Sequence, residues 1–165
     1  MSRTFTRRGE MIRWSLHPKE VDLVRQLVDD LSRAIGAAAS PHDAVRARLF
    51  PPAVLGDPEA DEEVRDLISE ALLEDRLAAL EEVLALLERG RTQRGRVVTD
   101  LVEDEPLKVL TVLNDVRLAI GARIDVEALD RAQVLEDDEA AFPLAVMDHL
   151  GWWQEQLLEL LDAGG

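Results

Sequence analysis

Residues 107–123, Leu-Lys-Val-Leu-Thr-Val-Leu-Asn-Asp-Val-Arg-Leu-Ala-Ile-Gly-Ala-Arg, limit what this chain can fold into more than any other stretch. Leu107, Val109, Leu110, Val112, Leu113, Val116, Leu118 and Ile120 fall on almost every side of a helical projection. A helix that is apolar all round is a buried helix, so others must wrap it. Asn114, Asp115 and Arg117 are set into it, each costing about 1–3 kcal/mol if buried without a partner. Asp115 and Arg117 are two residues apart and cannot face each other on a helix. Each is therefore expected to reach a neighbouring element. Gly121 is expected to stop the helix in a left-handed conformation.

The flanking sequence supplies wrapping elements. Thr4 to Thr6 and Met11 to Leu16 flank Gly9 and read as a β-hairpin, with Ile12, Trp14 and Leu16 on one face. Two strands cannot stand alone, so the hairpin must lie on the helices. Pro18 and Gly36 bound a first helix with the stripe Leu23, Leu27, Val28, Leu31 and Ile35. Ser40-Pro41-His42-Asp43 starts a short helix to about Arg48, ended by the corner Leu49-Phe50-Pro51-Pro52. Asp57-Pro58-Glu59 starts the next stretch with acids at the positive end of the helix dipole. There the stripe Val64, Leu67, Ile68, Ala71 and Leu72 gives way to Leu73, Leu77, Leu80, Leu84 and Leu87. The slip near Ser69 to Asp75 predicts a bend or break.

Arg89-Gly90-Arg91-Thr92-Gln93-Arg94-Gly95-Arg96 contains no acid and no aromatic residue that could stack bases. Such an arginine–glycine run could bind nucleic acid or an acidic partner, but it reads first as a solvated inter-helix loop, followed by a short extended piece at Val97-Val98. Asp100 to Pro106 cap the central helix. Asp125 to Asp130 reads as a short helix with Asp125 at its N-cap. The acid run Glu136 to Glu139 lacks the ligand alternation and central Gly of a calcium loop, and suits a helix N-terminus. A last helix runs from about Pro143 to Leu161, with Trp153 in its core stripe and Gly151 allowing another helix close. The expectation is a mainly α, single-domain helical bundle of about five to seven helices over residues 18–161. It wraps a buried central helix and carries a short N-terminal β-hairpin over residues 1–16, all in one domain spanning 1–165.

Composition removes most chemistries. The absence of Cys excludes disulfides, thiolate metal sites and cysteine nucleophiles. His17, His42 and His149 are isolated, so no helical zinc pair exists. There is neither a Gly-x-Ser-x-Gly elbow nor a Gly-Lys dipeptide for a phosphate loop. No cofactor, metal or enzymatic activity is expected. The N-terminus lacks a signal-peptide core, and no stretch approaches the roughly 18 uncharged apolar residues of a membrane span, which predicts a cytoplasmic protein. The net charge of −15 is uneven, with net +3 over residues 1–50 and −18 thereafter. Such a body repels phosphate backbones and anionic lipid and attracts basic surfaces. Direct binding to DNA or membrane is disfavoured, while a homodimer stays compatible with the sequence.

Two function classes remain. One is a non-enzymatic regulator that binds proteins, with a basic partner surface docking on the acidic helices. Trp152, about 100° around the helix from Trp153, is then a candidate partner contact. The other is a small anionic-ligand-binding or hydrolytic domain, with Arg48, Arg65, Arg117 and Arg123 around the site. The same arginines are better explained as satisfying buried carboxylates and helix ends.

Four stretches taken in order carry a family resemblance. They are Arg48-Leu49-Phe50-Pro51-Pro52-Ala53, then Asp57-Pro58-Glu59-Ala60 with Val64-Arg65, then Leu113 to Ile124 (LNDVRLAIGARI), and finally Leu150-Gly151-Trp152-Trp153-Gln154-Glu155-Gln156-Leu157. With the Pro18-Lys19-Glu20 helix start, the chain resembles the actinobacterial AosR-like proteins, a domain of unknown function. The resemblance implies a small cytoplasmic regulator without established enzymatic activity, encoded near the Clp-protease adaptor and cysteine-biosynthesis genes. It implies a partner among transcription or proteolysis factors. Some members are described as sensing oxidants through a cysteine pair and engaging a sigma factor. This chain has no Cys, so thiol sensing does not carry over.

Overall fold

The computed structural model describes residues 3–36, 62–124 and 138–164. The expected short helices ending near Arg48 and at Asp125–Asp130, the Phe50-Pro51-Pro52 corner, the Asp57-Pro58-Glu59 start signal and the beginning of the acid run lie outside the described residues. Helices dominate the rest. In chain order the elements are β1 (Phe5–Arg8), β2 (Met11–Leu16), α1 (Pro18–Ile35), α2 (Glu62–Glu88), β3 (Arg91–Gln93), β4 (Arg96–Leu101), α3 (Glu105–Ile124) and α4 (Asp138–Ala163).

The N-terminal hairpin forms as expected, β1 and β2 pairing antiparallel around Gly9 at φ 65°. Its support is different from the expectation. The basic run at 89–96 is not a loop between helices but part of a second hairpin, β3–β4, turned by Arg94 (φ 50°) and Gly95 (φ 77°). Positive φ at both central residues makes a tight turn whose twist matches the strands it joins. The β-branched Val97 and Val98 then continue β4, which pairs with β2 from Ile12↔Leu101 to Leu16↔Val97. The two hairpins make one antiparallel sheet in the order β1-β2-β4-β3. Its inner face buries Phe5, Ile12, Trp14, Leu16 and Leu101 in one core with the helices, Phe5 stacking on Trp14 at 5.8 Å.

Helix α1 starts at Pro18 and is closed by Gly36, as the sequence implies. His17 caps it: its Nδ1 accepts from Lys19 N–H at 3.1 Å, and Glu20 Oε1 accepts from His17 N–H at 2.8 Å. The buried stripe is rotated from the expected one. Val21, Val24, Val28, Leu31 and Ile35 are buried, a strict alternation of three and four residues, while Leu23 and Leu27 lie at its rim. Helix α2 runs through Ser69 to Asp75 without a break. Its second half supplies the core residues Leu80, Val83, Leu86 and Leu87, whereas Leu67 is 65% exposed. The two stripes therefore do not face one common core, so no kink is needed to bring them together.

Helix α3 packs against α1, α2 and α4. Val109, Val112, Leu113, Val116 and Ala119 are buried, but Leu107 is 55% exposed and Leu110, Leu118 and Ile120 are half-buried. The helix is thus covered on one broad side rather than all round. Gly121 does not end it, because α3 continues to Ile124. A Cβ at Gly121 would lie 3.3 Å from Met147 Cε, so this glycine sets the approach of α4 instead. Helix α4 begins at Asp138, upstream of Pro143, and buries Trp153 and Leu157 completely. Contacts at Asn114–Gln154, Arg117–Gly151 and Gly121–Met147 descend in step, so α3 and α4 are antiparallel neighbours.

Candidate functional site

The polar residues of α3 turn to two helices, Asp115 to α2, and Asn114 and Arg117 to α4. The Asp115 carboxylate, only 4% exposed, pairs with Arg76 of α2. Burial pushes its pKa above the ordinary carboxylate value, and the Arg76 guanidinium pulls it part of the way back. Arg117 lies across Gly151 of α4, where a Cβ would come within 3.1 Å of its guanidinium carbon. Its Nε donates to Met147 O at 3.1 Å and its Nη1 to Gln154 Oε1 at 2.7 Å. Gln154 Nε2 in turn donates to the exposed Asn114 Oδ1 at 3.4 Å. The close approach expected at Gly151 is real, and what it admits is an arginine side chain.

Of the four arginines considered for an anionic site, Arg48 and the side chain of Arg65 lie outside the described residues. Arg123 is exposed, six residues beyond Arg117 and so about 9 Å along the helix and on another side of it. Arg117 and Arg123 do not converge. Where α1 to α4 meet, the space between Val28, Val83, Val112 and Leu150 is about 10 Å³ and apolar, too small for a ligand. A larger, open cavity of about 220 Å³ lies under the first hairpin, lined by Arg7, Glu10, Ile12, Glu103 and Leu161. Among the described residues, none of the candidate site residues Asn114, Asp115, Arg117, Arg123 and Trp152 lines it.

Trp152 is half-buried, its ring 5.8 Å from that of His149. His149 Nε2 lies 3.0 Å from Glu20 Oε2, so the carboxylate that caps α1 also ties α4 to it. Among the described residues no group of three or more His, Asp or Glu could hold a metal ion, and no helix is long and apolar enough to cross a membrane.

A cluster of ion-paired charges lies on the outer face of the sheet, and sequence order alone does not reveal it. Alternation along the strands places Thr6 and Arg8 of β1, Met11, Arg13 and Ser15 of β2, Arg96, Val98 and Asp100 of β4, and Arg91 and Gln93 of β3 on that face. Arg13 grips Asp100 with two bonds, Nε to Oδ1 at 2.8 Å and Nη2 to Oδ2 at 3.2 Å. Arg91 Nη2 adds a third at 3.1 Å. These bonds hold the Asp100 carboxyl below its ordinary pKa, Arg13 contributing most. Arg96 donates to Ser15 Oγ at 2.7 Å and to Ser15 O at 2.9 Å. At the edge, Arg89 clamps both oxygens of Glu105 and the carbonyl of Asp100, and its hydrogen bonds lower the Glu105 pKa. The signal missed in sequence was Gly95: an Arg-Gly turn before two valines marks a hairpin, which carries the 91–96 arginines beside those of the first.

The family model described as a domain of unknown function, DUF2017, matches residues 2–161. No curated protein and no solved structure matches.

Proposed function

The chain belongs to the DUF2017 family, a domain of unknown function, and on that premise we propose that it is a non-enzymatic regulatory protein acting by protein–protein binding. We place it with the AosR-like regulators of actinobacteria, as a cytoplasmic single domain built around α3, working without thiol sensing. The observation that carries this reading is the state of Arg117. It packs over Gly151 and donates to Met147 O and Gln154, so it ties α3 to α4 rather than standing open to an anion. The partner is a protein with a basic surface, of the transcription or proteolysis machinery, drawn to the acidic helices. Trp152, half-buried beside His149, is the aromatic contact.

The test begins with affinity purification from the native cell and continues with the purified partner. A basic protein should bind, its association slowing as salt is added and weakening in Trp152→Ala. Saturable binding of a small anion abolished by Arg117→Ala, with no protein partner, would replace this reading by a ligand-binding domain.

A further inference from the structure

We propose that the outer face of the sheet is a docking surface for an extended acidic segment of another protein. The surface is assembled from two remote pieces of chain. Residues 3–16 and 89–101 place Arg8, Arg13, Arg91 and Arg96 on the face and Arg94 in its turn, against Asp100 alone, net +4 in a chain of net −15. The β2–β4 pairing sets them side by side. Such segregation gives the molecule a positive face on a negative body, and a face of that kind steers and orients an acidic partner.

The internal acids leave the face unneutralised. Asp100 is shared by Arg13 and Arg91, so that trio keeps a positive charge. Arg96 is held by the uncharged Ser15, with Glu20 at 3.8 Å beyond it. Arg8 and Arg94 are exposed and have no ion pair among the described residues. The two lie at opposite ends of the sheet, because the 9–10 turn leads into the Ile12↔Leu101 end and the 94–95 turn into the Leu16↔Val97 end. Arg94 also carries a backbone oddity. It sits at φ 50° as the first residue of a two-residue turn, a place that Gly, Asn or Asp takes with less strain. An unpartnered side chain in a strained position is explained by what its charge does outside the molecule.

The face is about 20 Å along the strands and about 15 Å across them, the reach of roughly six extended residues. That is small for a permanent interface and suits a transient contact. A nucleic acid fits less well. None of the ten outer-face side chains is aromatic, so bases have nothing to stack on. A long polyanion leaving the sheet would also meet a remainder of net −19. An anionic membrane surface meets the same repulsion. This surface is separate from the acidic helices invoked for a basic partner, and either can hold without the other.

The experiment is fluorescence anisotropy of a labelled poly-Glu peptide titrated with the full chain. Arg8→Glu and Arg94→Glu together should weaken binding by about tenfold or more, and Arg94→Asn alone by less. Arg25→Glu, an exposed reversal on α1, should leave it nearly unchanged. Asp100→Asn should tighten binding several-fold, because it removes the carboxylate that competes for Arg13 and Arg91. Circular dichroism of each variant establishes that it is folded, and Arg94→Asn keeps the turn if the reversals do not. Equal loss in Arg25→Glu, or no tightening in Asp100→Asn, overturns the site. Random duplex DNA or anionic phosphatidylserine vesicles binding more tightly than poly-Glu overturns the choice of partner.

Discussion

Two kinds of carboxylate in this protein answer pH in opposite senses, and the difference lies in how each is surrounded. Asp115 is buried, so its folded pKa stands above the unfolded one. Its contribution to stability is fully present below the unfolded pKa and is lost as pH rises through the raised value. At neutral pH its charge therefore depends on Arg76. Arg76→Met should destabilise by about 3–5 kcal/mol there, the usual penalty for orphaning a buried charge. The deficit should shrink as pH falls through the Asp115 range, read as urea midpoints across pH; a deficit independent of pH would mean that packing alone is lost. Asp100 and Glu105, held low by Arg13 and Arg89, behave in the reverse way. Their contribution is present above the unfolded pKa and fades as pH falls through the lowered one. Arg117 is a third case, because its described partners are neutral. Arg117→Ala should cost about 1.5–3 kcal/mol, the range for hydrogen bonds to a charged group rather than for a broken buried ion pair. An unchanged denaturation midpoint would show that the guanidinium does not hold α3 to α4.

Among the described elements, the junction between α2 and β3 is tightly packed. A Cβ at Gly90 would lie 2.7 Å from Val97 Cγ1, 2.9 Å from Thr99 Oγ1 and 3.0 Å from Leu87 O. Gly90→Ala should destabilise by about 1–3 kcal/mol through overpacking. Gly151→Ala, which meets the movable end of Arg117, should be milder; similar thermal midpoints for the two variants would contradict this. The same residues explain what could be seen in advance. Helix ends marked by Pro18 and Gly36, and the hairpin marked by Gly9, are local signals, and they matched. The face that a helix buries depends on its neighbours, which is why Val21 and Val24 displaced Leu23 and Leu27. Gly121 misled because a glycine that ends a helix and one that lets a second helix in look alike in one dimension. Asp115 and Arg117 stood out as polar groups within an apolar run, yet their partners Arg76, Gln154 and Gly151 belong to other helices. Both arginine-rich segments could be read in the sequence, but not that they share one face, since half of it comes from each hairpin.

For the whole molecule the net charge of −15 works against compactness. Moderate salt should raise the thermal midpoint, because screening relieves more self-repulsion than it removes from exposed ion pairs such as Arg33–Asp30. A midpoint that falls with salt would mean that the ion pairs dominate. The sheet carries a further implication, about the order of events in time. Each hairpin closes over a two-residue turn and can form within microseconds, but the β2–β4 seam joins strands with two long helices between them in the chain. That closure has a large entropic cost and is rewarded only once α1 and α2 are in place. The seam should zip after the rate-limiting step. Val98→Ala, which weakens it near its middle, should then speed unfolding and leave the refolding limb of a chevron plot almost where it was. A refolding rate slowed in proportion would instead put the seam in the nucleus. If it zips late, each passage of the chain through folding includes an interval in which two half-sheets, each with an unsatisfied edge, are exposed to other chains.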